Sequence, residues 1–422
     1  MKRKKHKSGL TKIFYGIIIA FIGLAIFAPI IANEKPIYLS LNGQSYFPAF
    51  SDAPYITVIE NGETKKIRTN GLDWKNLIAD KIVFAPVCWS PEKSDLINSY
   101  VSPFGSQKIL SNGKEIIAPF KFRHLLGTGK TGNDVLSSLI HGTRTSLSIG
   151  FFAMTIALLI GLILGISAGY FGDEKLRIRK GSFILILILI IPAFFYSFYL
   201  RKDIITNSFN QSLLSGFVQL FISKIFFLSI LAGPIFLKFS FIPILEKRIA
   251  VPLDSMLSRL IEIFLSIPRL ILILTLAAII RPSVISIILV IGLTSWTEVA
   301  RIIRAQVLQI RESNFISSSR AIGCKPWRTI IHHLLPNTFS QVGILWTYGI
   351  ASAILIETGL SFLGIGVPTG TATWGKLMYE ARESYQSWWL VIFAGGALFA
   401  LLFSLFNIAN SLKNRKRFLS AF

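Results

Sequence analysis

Runs of about 20 apolar residues recur along this chain, and a helix rising about 1.5 Å per residue carries each across a hydrocarbon core of about 30 Å. Eight such runs stand at residues 13–32, 145–170, 182–200, 217–237, 261–280, 283–300, 341–364 and 388–409. The fold class they impose is an all-α polytopic membrane protein, because a helix satisfies its own backbone polar groups where no water is available. Composition agrees: hydrophobic residues make up 52% of the 422 and charged residues 15%, against about 25% charged in soluble domains. The same apolar abundance excludes disorder. The run at 217–237 is the least regular, since it holds Lys224 and Pro234, which are costly or disruptive in a helix facing lipid. No internal repeat is visible, so an inverted-repeat secondary transporter gains no support.

Lys and Arg number 44 against 21 Asp and Glu, a net charge of +23. In a soluble chain that excess points to nucleic acid, but membrane proteins gather their cations in cytoplasmic loops. With the N-terminus inside, segments 1–12, 171–181, 238–260, 301–340 and 410–422 hold 24 Lys and Arg, and the short outer loops 201–216, 281–282 and 365–387 hold 5. This asymmetry places both termini in the cytoplasm and requires an even number of spans. The first apolar run follows Lys2, Arg3, Lys4, Lys5, Lys7 and Lys12; it is longer than a signal-peptide core and ends in a poor cleavage site, so it reads as an uncleaved anchor. Cys88 and Cys324 fall on opposite sides of the membrane in this topology and form no disulfide framework.

Residues 33–144 are of another kind. They are polar, punctuated by Asn42-Gly43, Asn61-Gly62, Asn70-Gly71 and Asn112-Gly113, and carry short β-type runs such as residues 55–60. Such dipeptides between apolar stretches favour hairpins, which predicts an extracytoplasmic segment with some strands.

Several motifs resolve into plain readings. Gly127-Thr128-Gly129-Lys130-Thr131 looks like the end of a phosphate-binding loop, but His124 stands where the first glycine is required and no strand precedes it. His332 and His333 are adjacent and point to different sides of a helix, so a metal pair is not expected. No nucleophile elbow, zincin or dinucleotide-binding motif occurs, which argues against a membrane enzyme. Glu298 and Glu357 lie in apolar segments and are candidates for the translocation path; a place at the membrane interface is an equal reading for both.

The largest inner loop, residues 301–340, is not a plain polar linker. Residues 314–322 read as a helix that Gly323 breaks, and Pro326 opens a second helix ending before Pro336. Ile322, Trp327, Ile330, Ile331 and Leu334 give the pair apolar contacts. From composition alone it is equally an amphipathic hairpin on the membrane surface or a docking knob for a cytoplasmic protein.

Ser317-Ser318-Ser319-Arg320-Ala321-Ile322-Gly323, followed by His333-Leu334-Leu335-Pro336-Asn337, resembles the EAA loop of ABC importer permeases. Glycine and Leu-Pro keep the family's spacing, with three serines in place of Glu-Ala-Ala. Leu126-Gly127-Thr128, Gly132, Asp134-Val135-Leu136-Ser137 and Gly142-Thr143-Arg144-Thr145-Ser146-Leu147 resemble the start of the transport core in dipeptide and oligopeptide permeases. Ala168-Gly169-Tyr170-Phe171-Gly172, then Asp254, Arg259, Glu262 and Pro268, then Leu360-Ser361-Phe362-Leu363-Gly364-Ile365-Gly366 with Trp374-Gly375, follow in the family's order. Ala32-Asn33-Glu34-Lys35-Pro36 with Tyr46-Phe47-Pro48 is similar to the Yej-type peptide permease, which also has a long outer loop.

The resemblance implies a six-helix permease core with an inserted helix pair at 173–250. The chain then divides into an anchor (1–32), an outer region (33–144), a core helix (145–172), the insertion, a core with coupling loop (251–412) and a basic tail (413–422). It implies a bacterial inner-membrane permease subunit that imports peptides, or another solute such as a nickel complex. A channel would have no use for such a loop. By resemblance the partners are a second, similar permease, two ATPase subunits that bind the ATP, and an extracytoplasmic peptide-binding protein; the chain itself holds no cofactor. The coupling loop would seat on the ATPase through Ser317, Ser318, Ser319, Ala321, Gly323, Trp327, Ile331, His333, Leu335 and Pro336.

Overall fold

A computed structural model describes residues 2–41, 43–51, 55–60, 63–69, 72, 74–75, 77, 79–111, 114–211, 213–236, 243–368 and 370–419. The chain forms two compact units, Met1–Ile163 with Glu262–Phe422, and Leu164–Ile261.

The first unit begins with α1 (Lys2–Ile31), which leads into residues 32–134, called the outer segment after the side that the charge bias predicts for them. There β1 (Tyr38–Leu41) sits between β2 (Gln44–Tyr46) and β5 (Lys81–Val83), antiparallel to both. Leu39, Leu41 and Trp74 form the small core of this sheet. Two further hairpins pair β3 (Tyr55–Glu60) with β4 (Glu63–Arg68), and β6 (Lys108–Ser111) with β7 (Lys114–Ile117). Their registers, Glu60↔Glu63 and Ser111↔Lys114, leave two-residue connections at 61–62 and 112–113, the length that right-handed strand twist favours. Asn42, Asn61-Gly62, Asn70-Gly71 and Asn112-Gly113 themselves lie outside the described residues.

With α1, the membrane helices of this unit are α2 (Val135–Phe171, whose last residues pass into the second unit), α8 (Arg269–Ile279), α9 (Val284–Arg311), α12 (Leu335–Phe362) and α14 (Trp388–Leu419). Asp134 starts α2 by accepting the Ser137 amide at 2.7 Å, an N-cap that explains why the helix begins ten residues before the apolar run. Ile149 and Ala153 of α2, Ile287 and Ile291 of α9, and Ala353 of α12 share one core. Glycines allow the close approach. A Cβ on Gly150 would lie 2.8 Å from Ile354 Cγ1, and one on Gly292 would lie 2.9 Å from the Ala153 carbonyl.

Seven described helices are long and apolar enough to span a membrane. The expected span at 261–280 is instead a broken pair, α7 (Leu253–Ser266) and α8, bent by 77°. Pro268 N-caps α8, and a proline cannot supply the amide that would continue α7. Counted as one span, the pair makes eight. The expected stop before Pro336 also fails. The helix that opens at Pro326 runs on to Phe362, through a wide turn at Ile330–Leu334. The Leu335 amide there bonds the Ile330 carbonyl, and this five-residue register shifts the ladder just before Pro336, so that the helix accommodates a residue with no amide to donate.

The second unit holds β8 (Arg177–Arg179), α3 (Lys180–Phe194), α4 (Lys202–Gln211), α5 (Leu213–Phe236), α6 (Pro243–Glu246) and β9 (Arg248–Ala250). The expected insertion is thus a helical hairpin closed at its base by the antiparallel pair β8–β9. The Ser182 hydroxyl donates to the Pro234 carbonyl at 2.7 Å, and Arg201 donates to Gln219 at 2.9 Å.

Candidate functional site

The connection between α9 and α12 folds into two helices around Gly323, the second of which continues into α12. α9 stops at Arg311, and α10 (Asn314–Ala321) starts after Ser313, whose amide and hydroxyl both bond the Ile310 carbonyl. The amide of Cys324 reaches back to the Ser319 carbonyl at 3.1 Å with Gly323 at φ +79°, the left-handed closure that favours glycine. Lys325 then caps α11 (Pro326–Thr329), with Pro326 in its first turn.

Ile316, Ser319, Thr329 and Leu334 are buried, and the Ser319 and Thr329 hydroxyls stand 3.5 Å apart. The outer surface is unusually apolar for a solvated loop. Trp327 is 58% exposed, Ile331 50% and Ile322 81%. Ala321 and Pro336 are exposed, while His333 and Leu335 are half-buried. Ser317 and Ser318 are exposed and donate to the carbonyls of Ser313 and Asn314 within their own helix. Nine of the ten residues singled out for this loop therefore reach its surface at least in part. Ser319 does not; it joins the two helices from inside. Ile322, Trp327 and Ile331 thus give the hairpin an apolar, partly aromatic exposed surface.

The two membrane carboxylates part company. Glu298 is exposed on α9, 3.5 Å from Arg269, which also donates to Ser295 at 2.6 Å and so pins the start of α8. Glu357 is fully buried and accepts from Ser146 at 3.1 Å and Ser361 at 2.8 Å, tying α2 to α12.

Sequence reasoning missed a charged cluster in the outer segment. His124 is buried, with Nδ1 2.9 Å from Asp134 and Nε2 3.4 Å from Asp95, and its ring stacks on Trp89 at 4.0 Å. Burial disfavours the imidazolium, but the hydrogen bonds to Asp134 and Asp95 overcome it and raise its pKa above the usual value. Burial likewise pushes Asp95 up, and the bonds to His124 and Asn98 outweigh that and hold it low. No short spacing links positions 95, 124 and 134, so no motif revealed them. The phosphate-loop lookalike beside them is a structural turn. Lys130 pairs with Glu383 at 2.5 Å, its amide donates to Glu380, and the Trp389 indole donates to the Thr128 carbonyl. These bonds fasten the outer segment to α13 (Trp374–Ala381) and the start of α14.

Residues 241–418, which carry the hairpin and the helices on both sides of it, match the family described as binding-protein-dependent transport system inner membrane component. The chain is similar to the dipeptide transport system permease protein DppC of Alkalihalophilus pseudofirmus, 25% identical over 69% of this chain and 70% of that protein. DppC of Bacillus subtilis is 26% identical over 64% of this chain and 61% of its own length. A Brucella ovis protein described as a peptide permease is 36% identical over 38% of this chain and 54% of its own. The alignments thus span from about half to seven tenths of these relatives' lengths. Residues 241–418 belong to the family of binding-protein-dependent transport system inner membrane components, and the relatives that the chain is similar to are described as dipeptide or peptide permeases.

Proposed function

We propose that this chain is a membrane subunit of an importer that carries peptides across the bacterial inner membrane, with both termini in the cytoplasm. The names of the relatives support a peptide substrate. The observation that carries the mechanism is the exposed knob at residues 314–334: Trp327, Ile331 and Ile322 stand out from a hairpin whose inner side is fixed by Ile316, Ser319, Thr329 and Leu334. In this reading an ATPase subunit takes Trp327 into a groove. Because the second helix runs without a stop into α12, movement of the ATPase passes directly to a membrane helix. Peptide hydrolysis has no place in the cycle; the chain lines half of a path that opens alternately to each side. A second permease supplies the other half, a second ATPase pairs with it, and an extracytoplasmic binding protein delivers the peptide at the outer segment. Glu298, exposed on α9, suits a path-facing role better than the enclosed Glu357.

Trp327→Ala tests the docking. Trp327 is exposed, so membrane levels stay normal. A central aromatic anchor is worth about 2 kcal/mol or more, about 30-fold in affinity, so the ATPase is lost from the purified complex and peptide uptake falls. Gly323→Asp gives the same loss, with added strain from its left-handed backbone. Normal co-purification and uptake in Trp327→Ala would overturn the docking assignment.

A further inference from the structure

Between α1, α2, α12 and α14 lies an open groove of about 470 Å³. Tyr15, Ile18, Ile22, Ala25 and Ile26 of α1 form one wall, and Phe151, Phe152 and Trp346 stand among the facing residues. Its polar groups are few. The Trp346 indole donates to Thr155, and the Thr347 hydroxyl donates to the Gly343 carbonyl of its own helix. The Tyr15 phenol, Arg144 and Ser148 remain, and neither Arg144 nor Ser148 has a hydrogen-bond or ion-pair partner among the described residues.

Their order along the groove matters. Arg144, Ser148 and then Phe151 and Phe152 descend one side of α2 at helical spacing. The His141 ring bonds the Ala32 carbonyl at 2.9 Å, which sets Arg144 level with the last turns of α1. The groove therefore has a cation at the end of a membrane span, a hydroxyl one turn deeper, and a mainly apolar lining beyond, with the Tyr15 phenol at its far end. Along α1 it extends from Ile26 to Tyr15, about 16 Å at about 1.5 Å per residue, or half of a hydrocarbon core of about 30 Å.

We propose that this groove binds an anionic phospholipid, with the phosphate on Arg144, the ester region at Ser148, and one acyl chain along Phe151, Phe152 and α1. The groove's length along α1, about half of a hydrocarbon core, suits one acyl chain of one leaflet. A peptide fits poorly, because its backbone would bring an amide and a carbonyl per residue against a wall that offers few partners beyond Arg144, Ser148 and Tyr15. The inference needs only that the chain spans a membrane and holds whichever solute is carried.

The test uses the full chain in nanodiscs with trace phosphatidylglycerol or phosphatidylcholine, each bearing the same photoreactive acyl chain. Phosphatidylglycerol is expected to label the segments 15–26 and 147–152. Arg144→Gln lowers that labelling about fivefold, the effect of one cation at an anionic surface, and leaves phosphatidylcholine labelling unchanged; Arg144→Lys restores it. Ile22→Trp fills the groove and removes labelling by both lipids at these segments. Equal labelling by the two lipids, or indifference to Arg144→Gln, would overturn the proposal. So would cross-linking of Ile22→Cys to another membrane subunit in the complex in place of lipid labelling, which would assign the groove to a protein partner.

Discussion

His124 shows how much a single buried residue decides in the outer segment. Its imidazole lies between Asp134 and Asp95 against the Trp89 ring, over which Lys75 also sits. A histidine whose pKa is raised by folding stabilises the fold fully below its unfolded value, and that stabilisation is lost as pH climbs through the folded value. A lowered aspartate acts in the opposite sense, contributing above its unfolded value and failing as pH falls. With His124 raised from 6.5 and Asp95 lowered from 3.8, the cluster is tightest between those two values and weakens on either side. Hydrogen exchange in peptides covering 95–110 and 122–134, corrected for intrinsic rates, should therefore speed up as pH rises from 6 towards 9. His124→Gln should remove that pH dependence. Protection that does not change with pH in the unaltered protein would refute the account.

Among the elements, the crossing of α2 with α9 rests on absent side chains. A Cβ on Gly292 would press the Ala153 carbonyl at 2.9 Å and Ile156 at 3.1 Å. Backbone cannot yield as a flexible side chain does, so Gly292→Leu must drive the helices apart and open the shared core of Ile149, Ala153, Ile287 and Ile291. Overpacking of this kind costs about 1–3 kcal/mol. The variant is expected to melt lower in detergent, while Gly16→Leu, where nothing lies within 4 Å of the added atom, melts normally. Equal melting of the two would show that the crossing tolerates separation.

Two predictions belong to the whole molecule. For topology, Cys88 is a poor reporter, because it is buried and burial raises its thiol pKa. Tyr385 is 95% exposed in the outer connection. An impermeant thiol reagent applied from outside should label Tyr385→Cys and spare Cys324; labelling of Cys324 in sealed cells would invert the orientation. For the insertion, β8 and β9 bring Arg179 and Arg248 opposite each other, with the Lys180 amide on the Lys247 carbonyl at 3.0 Å. Replacing residues 180–247 by Asn-Gly closes this pair as a two-residue hairpin and removes one helix in each direction, so every later span keeps its orientation. Normal insertion with partial uptake is expected. Abolished uptake in a correctly assembled complex would give the insertion an essential role.

The sequence by itself determined most of the apolar spans, the charge bias between their loops, the hairpins after the first span and the helix break at Gly323. Each of these is written locally, in runs of apolar residues, turn dipeptides or a glycine at a helix end. Chain-distant partners decided the rest. Pro336 reads as a stop, yet a wide turn that ends two residues before it absorbs it. Pro268 lies inside a continuous apolar run, yet the chain turns by 77° there. Glu298 and Glu357 are alike in sequence, but one faces outward beside Arg269 and the other is enclosed by Ser146 and Ser361. The His124 cluster and the groove below Arg144 have no linear signature, because their members come from separate segments and meet only when the helices pack. Short-range pattern fixes where a helix can form; which of its side chains are buried, paired or left open depends on the surfaces it meets.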